Sequence, residues 1–257
     1  MLFIADAVGT PGRKALEERL AALREELGVD FCIVNGENLA DGVGITPKLA
    51  ERILAAGADV ITLGNHVWRR SEIVPYLNGA ERVIRPANLA KGAPGRGIVV
   101  TNGRNGARVA VINVLGSLFL QPVVSMWELI DELVAEARRD TNVILVDIHA
   151  EATSEKVALA RWLDGKVTAV IGTHTHIQTN DARVLPGGTA ALSDAGMTGP
   201  HDSVIGVQAE LAIKRMRTGI PVRFETAAGD VRIEGALVDC DEDGRATACA
   251  TIRVPIG

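Results

Sequence analysis

The chain has 257 residues, 47% of them hydrophobic and 23% charged, which is the composition of an ordinary globular protein and excludes a disordered or low-complexity chain. Its net charge of -5 gives no electrostatic reason for a nucleic-acid coat or an anionic membrane surface as partner, so an anionic substrate would need a local positive centre. Cys32, Cys240 and Cys249 are scattered and without CxxC spacing, which argues against a disulfide framework or a thiolate zinc site; the opening MLFIADAVGT lacks the basic flank and the length of a leader or anchor, so a cytoplasmic protein is expected.

Aromatic residues make up only 3% of the chain, so its core must come from Ala, Val, Ile and Leu, which suits sheets covered by helices. Strand-like and helix-like segments alternate from the start: LFIAD (residues 2–6), a helix over 13–27, DFCIVNG (30–36), a helix over 46–57, and DVITLG (59–64). Thr46 and Pro47 form an N-cap and first-turn pair, and Gly28 and Gly57 are stops. This βαβαβ rhythm predicts a parallel sheet.

After the glycine-rich stretch 85–97, GIVVT (97–101) and ARVAVINVLG (107–116) predict a hairpin pair. A helix over 125–139, a strand over 142–150, a helix over 154–165 and a strand over 167–176 follow. The last third predicts strands at 182–187, 189–194, 221–226, 230–239 and 250–254, with one helix over 207–219. No repeat, polar linker or low-complexity tract divides the chain, so residues 1–257 are expected to form one domain. The expected architecture is an α/β β-sandwich of two mixed sheets with helices outside and a site at the C-terminal ends of the strands.

The unusual polar residues cluster at those strand ends. Asp6 follows LFIA; Asn35, Glu37 and Asn38 follow FCIV; Asn65 and His66 follow VITLG; His149 follows VILVDI; His174 and His176 follow AVIGT. In α/β sheets ligands bind outside the carboxyl ends of the strands. Four of the five histidines fall in this set, and residues i and i+2 of an extended strand point the same way, so His174 and His176 are expected to aim at one point. Carboxylate, amide and imidazole donors without thiolates suit Mn, Fe or Zn. There are too many for one tetrahedral ion, so two ions sharing a bridging carboxylate are expected.

IAD, NGEN, GNHVW, DIHAEATSEK, GTHTH and DAGMTGP occur in that order across most of the chain, and together they resemble the calcineurin-like metallophosphoesterases, more narrowly the bacterial YmdB-like branch. The resemblance implies a phosphodiesterase that opens 2′,3′-cyclic nucleotides to 3′-nucleotides by attack of a metal-generated hydroxide on phosphorus. It implies Asp6, Glu37, Asn38 and His176 around one metal, with Glu37 bridging to a second held by Asn65, His149 and His174. It also implies that His66 is the general acid or contacts the phosphate, the alternative being a further metal ligand. The chain departs from the broad pattern D-x-H, since Ala7 and Val8 follow Asp6, and Glu37 stands where a bridging Asp is usual. Both departures belong to the narrower branch and do not select the metal; Fe or Mn, with Zn a third option, are the expected ions.

Three weaker candidates are substrate contacts: Thr153 and Ser154, which also read as a helix start, and Arg85, which with Asn88 reads equally as a turn. Lys156 is close enough in sequence to line the same mouth, whereas His201 reads as a surface residue. The expected partner is a small nucleotide, with RNA 2′,3′-cyclic ends as an extension, and no membrane. Residues 117–127 are apolar for a loop and read either as a homo-oligomer contact or as a segment buried under its neighbours. A nucleotide phosphomonoesterase and a metal-containing nucleotide sensor without turnover are the competing functions.

Overall fold

Two sheets stack face to face and helices cover both outer faces. The computed structural model describes residues 1–257. The first half of the chain forms β1 (Leu2–Ile4), β2 (Asp6–Ala7), α1 (Gly9–Glu26), β3 (Cys32–Asn35), α2 (Pro47–Ala56), β4 (Val60–Thr62), α3 (Ile73–Gly79), β5 (Val83–Ile84), β6 (Ile98–Asn102) and β7 (Arg108–Leu115). The second half forms α4 (Ile130–Ala137), β8 (Ile144–His149), α5 (Thr153–Trp162), β9 (Ala169–Thr173), β10 (Arg183–Val184), β11 (Ala190–Leu192), β12 (Met197–Asp202), α6 (Ala209–Thr218), β13 (Gly229–Cys240) and β14 (Ala246–Pro255).

One sheet runs β2-β12-β13-β1-β3-β4-β5, with β14 paired to β13, and the other runs β10-β11-β9-β8-β7-β6. Strands β1, β3, β4 and β5 are parallel neighbours, as are β7, β8 and β9, so each sheet gathers several C-terminal ends on one rim. β6 and β7 form the expected antiparallel pair, with Ile98 opposite Ile112.

The period of two in each strand separates the layers. Leu2 and Ile4 pack with Leu16 and Leu20 of α1 and Ile53 of α2, whereas Phe3 turns to the opposite face and meets Leu145 and Ile171 of the other sheet. Ile144, Val146 and Ile148 then face Ile130 and Val134 of α4 and Leu159 of α5. The result is a helix, sheet, sheet, helix sandwich of the expected class.

Several elements differ from expectation. Helix α1 begins at Gly9 rather than at residue 13, because Pro11 lies in the first turn, where an amide hydrogen has no helical partner. Helix α3 and strand β12 are additional. Residues 221–226 are not a strand: Pro221 cannot donate, and the segment makes only an isolated bridge from Thr226 to Val207. Thr46 caps α2 as expected, its hydroxyl accepting from the Leu49 amide at 3.4 Å. All three cysteines are free. Most of residues 117–127 lies open rather than buried under a neighbour, with Leu118, Phe119, Val123 and Trp127 exposed and Leu120 and Met126 covered. No helix is long and apolar enough to cross a membrane.

Phe3 is fully buried between the sheets. Phe3→Ala is expected to lower unfolding stability by about 3–5 kcal/mol, seen as a fall in the urea midpoint at unchanged slope.

Candidate metal centre

Strand ends from both sheets converge on one rim. Asp6 stands beyond β1, Glu37 and Asn38 just beyond β3, Asn65 and His66 beyond β4, His149 closes β8, and His174 and His176 follow β9. His149 Nε2 is the centre of one group: Asn65 Oδ1 lies 3.0 Å away, His174 Nδ1 3.1 Å and Glu37 Oε1 3.2 Å. Donors each about 2.1 Å from one ion and at right angles lie about 3.0 Å apart, so this spacing matches donors sharing an ion. Ligand atoms of Glu37, His149 and His174 all fall within 4.8 Å of one another.

A second group lies on the other side of Glu37. His176 Nε2 is 3.1 Å from Asn38 Nδ2 and 3.8 Å from Asp6 Oδ1, and Asn38 Oδ1 accepts from His66 Nδ1 at 2.8 Å. His66 Nδ1 is also 3.2 Å from Glu37 Oε1, while the His66 amide donates to Glu37 Oε2 at 3.1 Å. Glu37 therefore joins the two groups.

The outward nitrogen of each clustered histidine is held by an oxygen. Thr173 donates its hydroxyl hydrogen to Asp147 at 2.8 Å and so accepts from His149 Nδ1 at 2.9 Å. His176 Nδ1 donates to the Ile205 carbonyl at 2.9 Å, and His174 Nε2 faces Glu151 Oε2 at 3.0 Å. In each ring the opposite nitrogen, and with it the lone pair of the neutral imidazole, is turned into the cluster. That is how metal-ligating histidines are oriented.

Charge leads to the same conclusion. Asp6 and Glu37 are fully buried, and Asp6 Oδ1 and Glu37 Oε1 have no hydrogen-bond partner. Burial pushes the Asp6 carboxyl up, with His176 and His149 acting against it. Burial also works to raise Glu37, but the nearby charges of His149 and His66 outweigh it and hold Glu37 well below the usual carboxylate range. For His149, burial disfavours the charged ring, yet Glu37, Asp6 and Asp147 push it up to about 9. His174, desolvated and facing that charge, drops to about 3. The cluster thus attracts positive charge, and its donor set fits divalent metal ions.

His66 lines a cavity of about 400 Å³ together with Glu151, Thr175, Ile205 and Phe224. With Nδ1 engaged by Asn38 and Glu37, its Nε2 is the nitrogen left for the cavity.

Other sequence candidates fall elsewhere. His174 and His176 do not aim at one point: strand β9 ends at Thr173, and both histidines have positive φ, 102° and 64°, so the alternation of an extended strand no longer applies. Asn38 presents its amide nitrogen, not its oxygen, to His176, and a half-turn of the amide would exchange the two. Arg85 is buried, its guanidinium bound to the carbonyls of Pro94, Pro86 and Ala93, which leaves it to brace the 85–97 loop rather than a substrate. Thr153 and Ser154 are exposed in the first turn of α5 and do not line the cavity. Lys156 is buried against Asp194 at 2.7 Å, and His201 is half-buried, with Nε2 donating to the Met197 carbonyl at 3.2 Å.

The supporting residues are those that sequence reading missed. Asp147 accepts from Thr173 and, at 3.1 Å, from Asn35, whose own Oδ1 accepts the Glu37 amide at 3.2 Å. Burial raises the Asp147 carboxyl to about 6. A carboxylate inside the apolar run VILVDIH was the available signal.

The family model for YmdB-like proteins matches residues 2–252. A Bacillus subtilis protein named 2′,3′-cyclic-nucleotide 2′-phosphodiesterase is 46% identical over 242 residues, 94% of this chain and 91% of that one. The crystal structure of a hypothetical protein from Thermus thermophilus superposes with a TM-score of 0.92 at 38% identity, covering 99% of this chain and 98% of that one. That of a novel phosphatase from Mycoplasma pneumoniae superposes with a TM-score of 0.90 at 32% identity, covering 99% and 92%.

Gly64, between β4 and Asn65, has no room for a side chain: a Cβ there would overlap Glu37 Oε2 and lie 2.5 Å from His149 Nε2. Gly64→Ala is expected to displace both donors, so that Mn bound per chain, measured by elemental analysis after dialysis, falls while far-ultraviolet circular dichroism stays unchanged.

Proposed function

The chain belongs to the YmdB-like protein family, and from that premise we propose that it is a dinuclear-metal phosphodiesterase that hydrolyses 2′,3′-cyclic nucleotides to 3′-nucleotides. The observation that carries this reading is the set of three histidines, each fixed by an outward hydrogen-bonding oxygen and turned inward on two buried carboxylates with unpartnered oxygens. Asn65, His149 and His174 would hold one ion and Asp6, Asn38 and His176 the other, with Glu37 between them. Asn38 takes part after the half-turn that brings its oxygen inward. The hard and borderline donors favour Fe or Mn, with Zn a third option. When bound, the pair supplies Lewis-acid polarisation of the phosphoryl group and a lowered pKa for attacking water.

The chain's own residues do the rest. Water, giving up one proton to solvent, bonds through its oxygen to phosphorus as the bond from phosphorus to O2′ breaks, and the departing O2′ needs a proton. His66, as the imidazolium, gives it from Nε2 and keeps the proton on Nδ1, where Glu37 holds the ring in place. The cavity of about 400 Å³ is large enough for a mononucleotide and lies within the usual range for small-molecule sites. An RNA would enter by its cyclic end alone. One continuous pair of sheets supports treating residues 1–257 as a single phosphoesterase domain.

Protein loaded with Mn or Fe is expected to convert 2′,3′-cyclic AMP to 3′-AMP, resolved by chromatography, and a chelator should abolish the product. His66→Ala should lower kcat by about a hundred- to ten-thousand-fold with metal content retained. Hydrolysis of 3′-AMP but not of the cyclic diester would identify a phosphomonoesterase instead. Two bound metals with no turnover of either would identify a sensor.

A further inference from the structure

The two donor histidines of the GTHTH segment are separated by one residue, yet they serve different groups, His174 facing His149 and His176 facing Asp6 and Asn38. That divergence depends on left-handed backbone at both, which side-chain-bearing residues adopt only when their surroundings impose it. The residue between them is held by a buried carboxylate from another strand end. Asp194, just past β11, accepts on Oδ2 from the Thr175 amide at 3.1 Å, the Thr175 hydroxyl at 2.7 Å and Lys156 Nζ at 2.7 Å. Its Oδ1 accepts from the Gly196 amide at 2.9 Å.

Asp194 and Lys156 are both buried, and a buried ion pair is weak evidence of stability, since the cost of desolvating two charges offsets their attraction. The fold nonetheless makes room for it: a Cβ at Gly172 would overlap the Ser193 carbonyl and lie 2.8 Å from Lys156 Cδ. Asp6 completes the hold on the segment by accepting from the His174 amide at 3.2 Å.

We propose that Asp194 is a positioning residue: its carboxylate pins Thr175, the residue between the two donor histidines, and so keeps His174 turned to one metal position and His176 to the other. This rests on the reading of His174 and His176 as donors to two ions. Lys156 neutralises the carboxylate and Thr175 receives its hold.

The test compares Asp194→Asn with Asp194→Ala, both in a Lys156→Met background so that neither strands a buried charge. Asn keeps an acceptor oxygen for Thr175 and Ala does not. Mn affinity is measured by competition with a fluorescent chelator, and the loaded proteins are compared by electron paramagnetic resonance for the exchange-coupled pair. The Asn variant should stay within about threefold of the parent, whereas the Ala variant should bind Mn about 10- to 100-fold more weakly and lose the coupled signal. Parent-like affinity and coupling in both variants, or equal losses in both, would overturn the proposal. Should the Ala variant fail to fold, Thr175→Val decides. It should weaken Mn binding by about two- to tenfold at an unchanged urea midpoint, and unchanged affinity would overturn the proposal. A parent chain that binds fewer than two Mn would overturn the two-ion reading and this proposal with it; a parent that binds two alongside an unaffected Ala variant overturns this proposal alone.

Discussion

Two carboxylates buried out of water, each with an oxygen that no donor satisfies, are the constraint from which the rest of the structure follows. Isolated buried charge is among the most costly features a fold can contain, and a protein retains it where a cation or a proton compensates. Without an ion the cluster draws a proton to His149, whose pKa rises to about 9 between Glu37, Asp6 and Asp147. A site that pulls a proton this strongly onto an imidazole, while holding the other nitrogen of each ring in a hydrogen bond, is organised for a more concentrated positive charge than a proton.

The fold supplies that organisation through parallel strands. Their C-terminal ends lie on a common rim, so short segments beyond β1, β3 and β4 and the ends of β8 and β9 reach the same few ångströms from two different sheets. The polar layer around the cluster fixes direction: Asp147 reaches His149 through Thr173 and Glu37 through Asn35, so one buried carboxylate orients a member of each sheet's contribution. Asp194 does the same for the segment that carries His174 and His176.

Much of this was legible in the sequence because it depends on local pattern. Apolar runs of four to six residues ending in Asp, Asn, Glu or His located the rim, and the motif order located the family. What was not legible depends on direction and on long-range partners. The expectation that His174 and His176 point together assumed that the strand continues, whereas it stops at Thr173 and the backbone turns left-handed. Arg85 and Lys156 looked available to a substrate because nothing local reveals that loop carbonyls close on one guanidinium and that Asp194, far along the chain, neutralises the ammonium. Residues 221–226 had the alternation of a strand but open on Pro221, which has no amide hydrogen to donate, and make only one isolated bridge.

The central claim is that Glu37 lies between two metal ions held by residues of both sheets. The most direct measurement is anomalous diffraction at the manganese edge from crystals grown with Mn. Two peaks flanking the Glu37 carboxylate are expected, one beside Asn65, His149 and His174 and the other beside Asp6 and His176, with the oxygen of Asn38 turned inward. A single peak, or none with Glu37 paired only to a protonated His149, would contradict it.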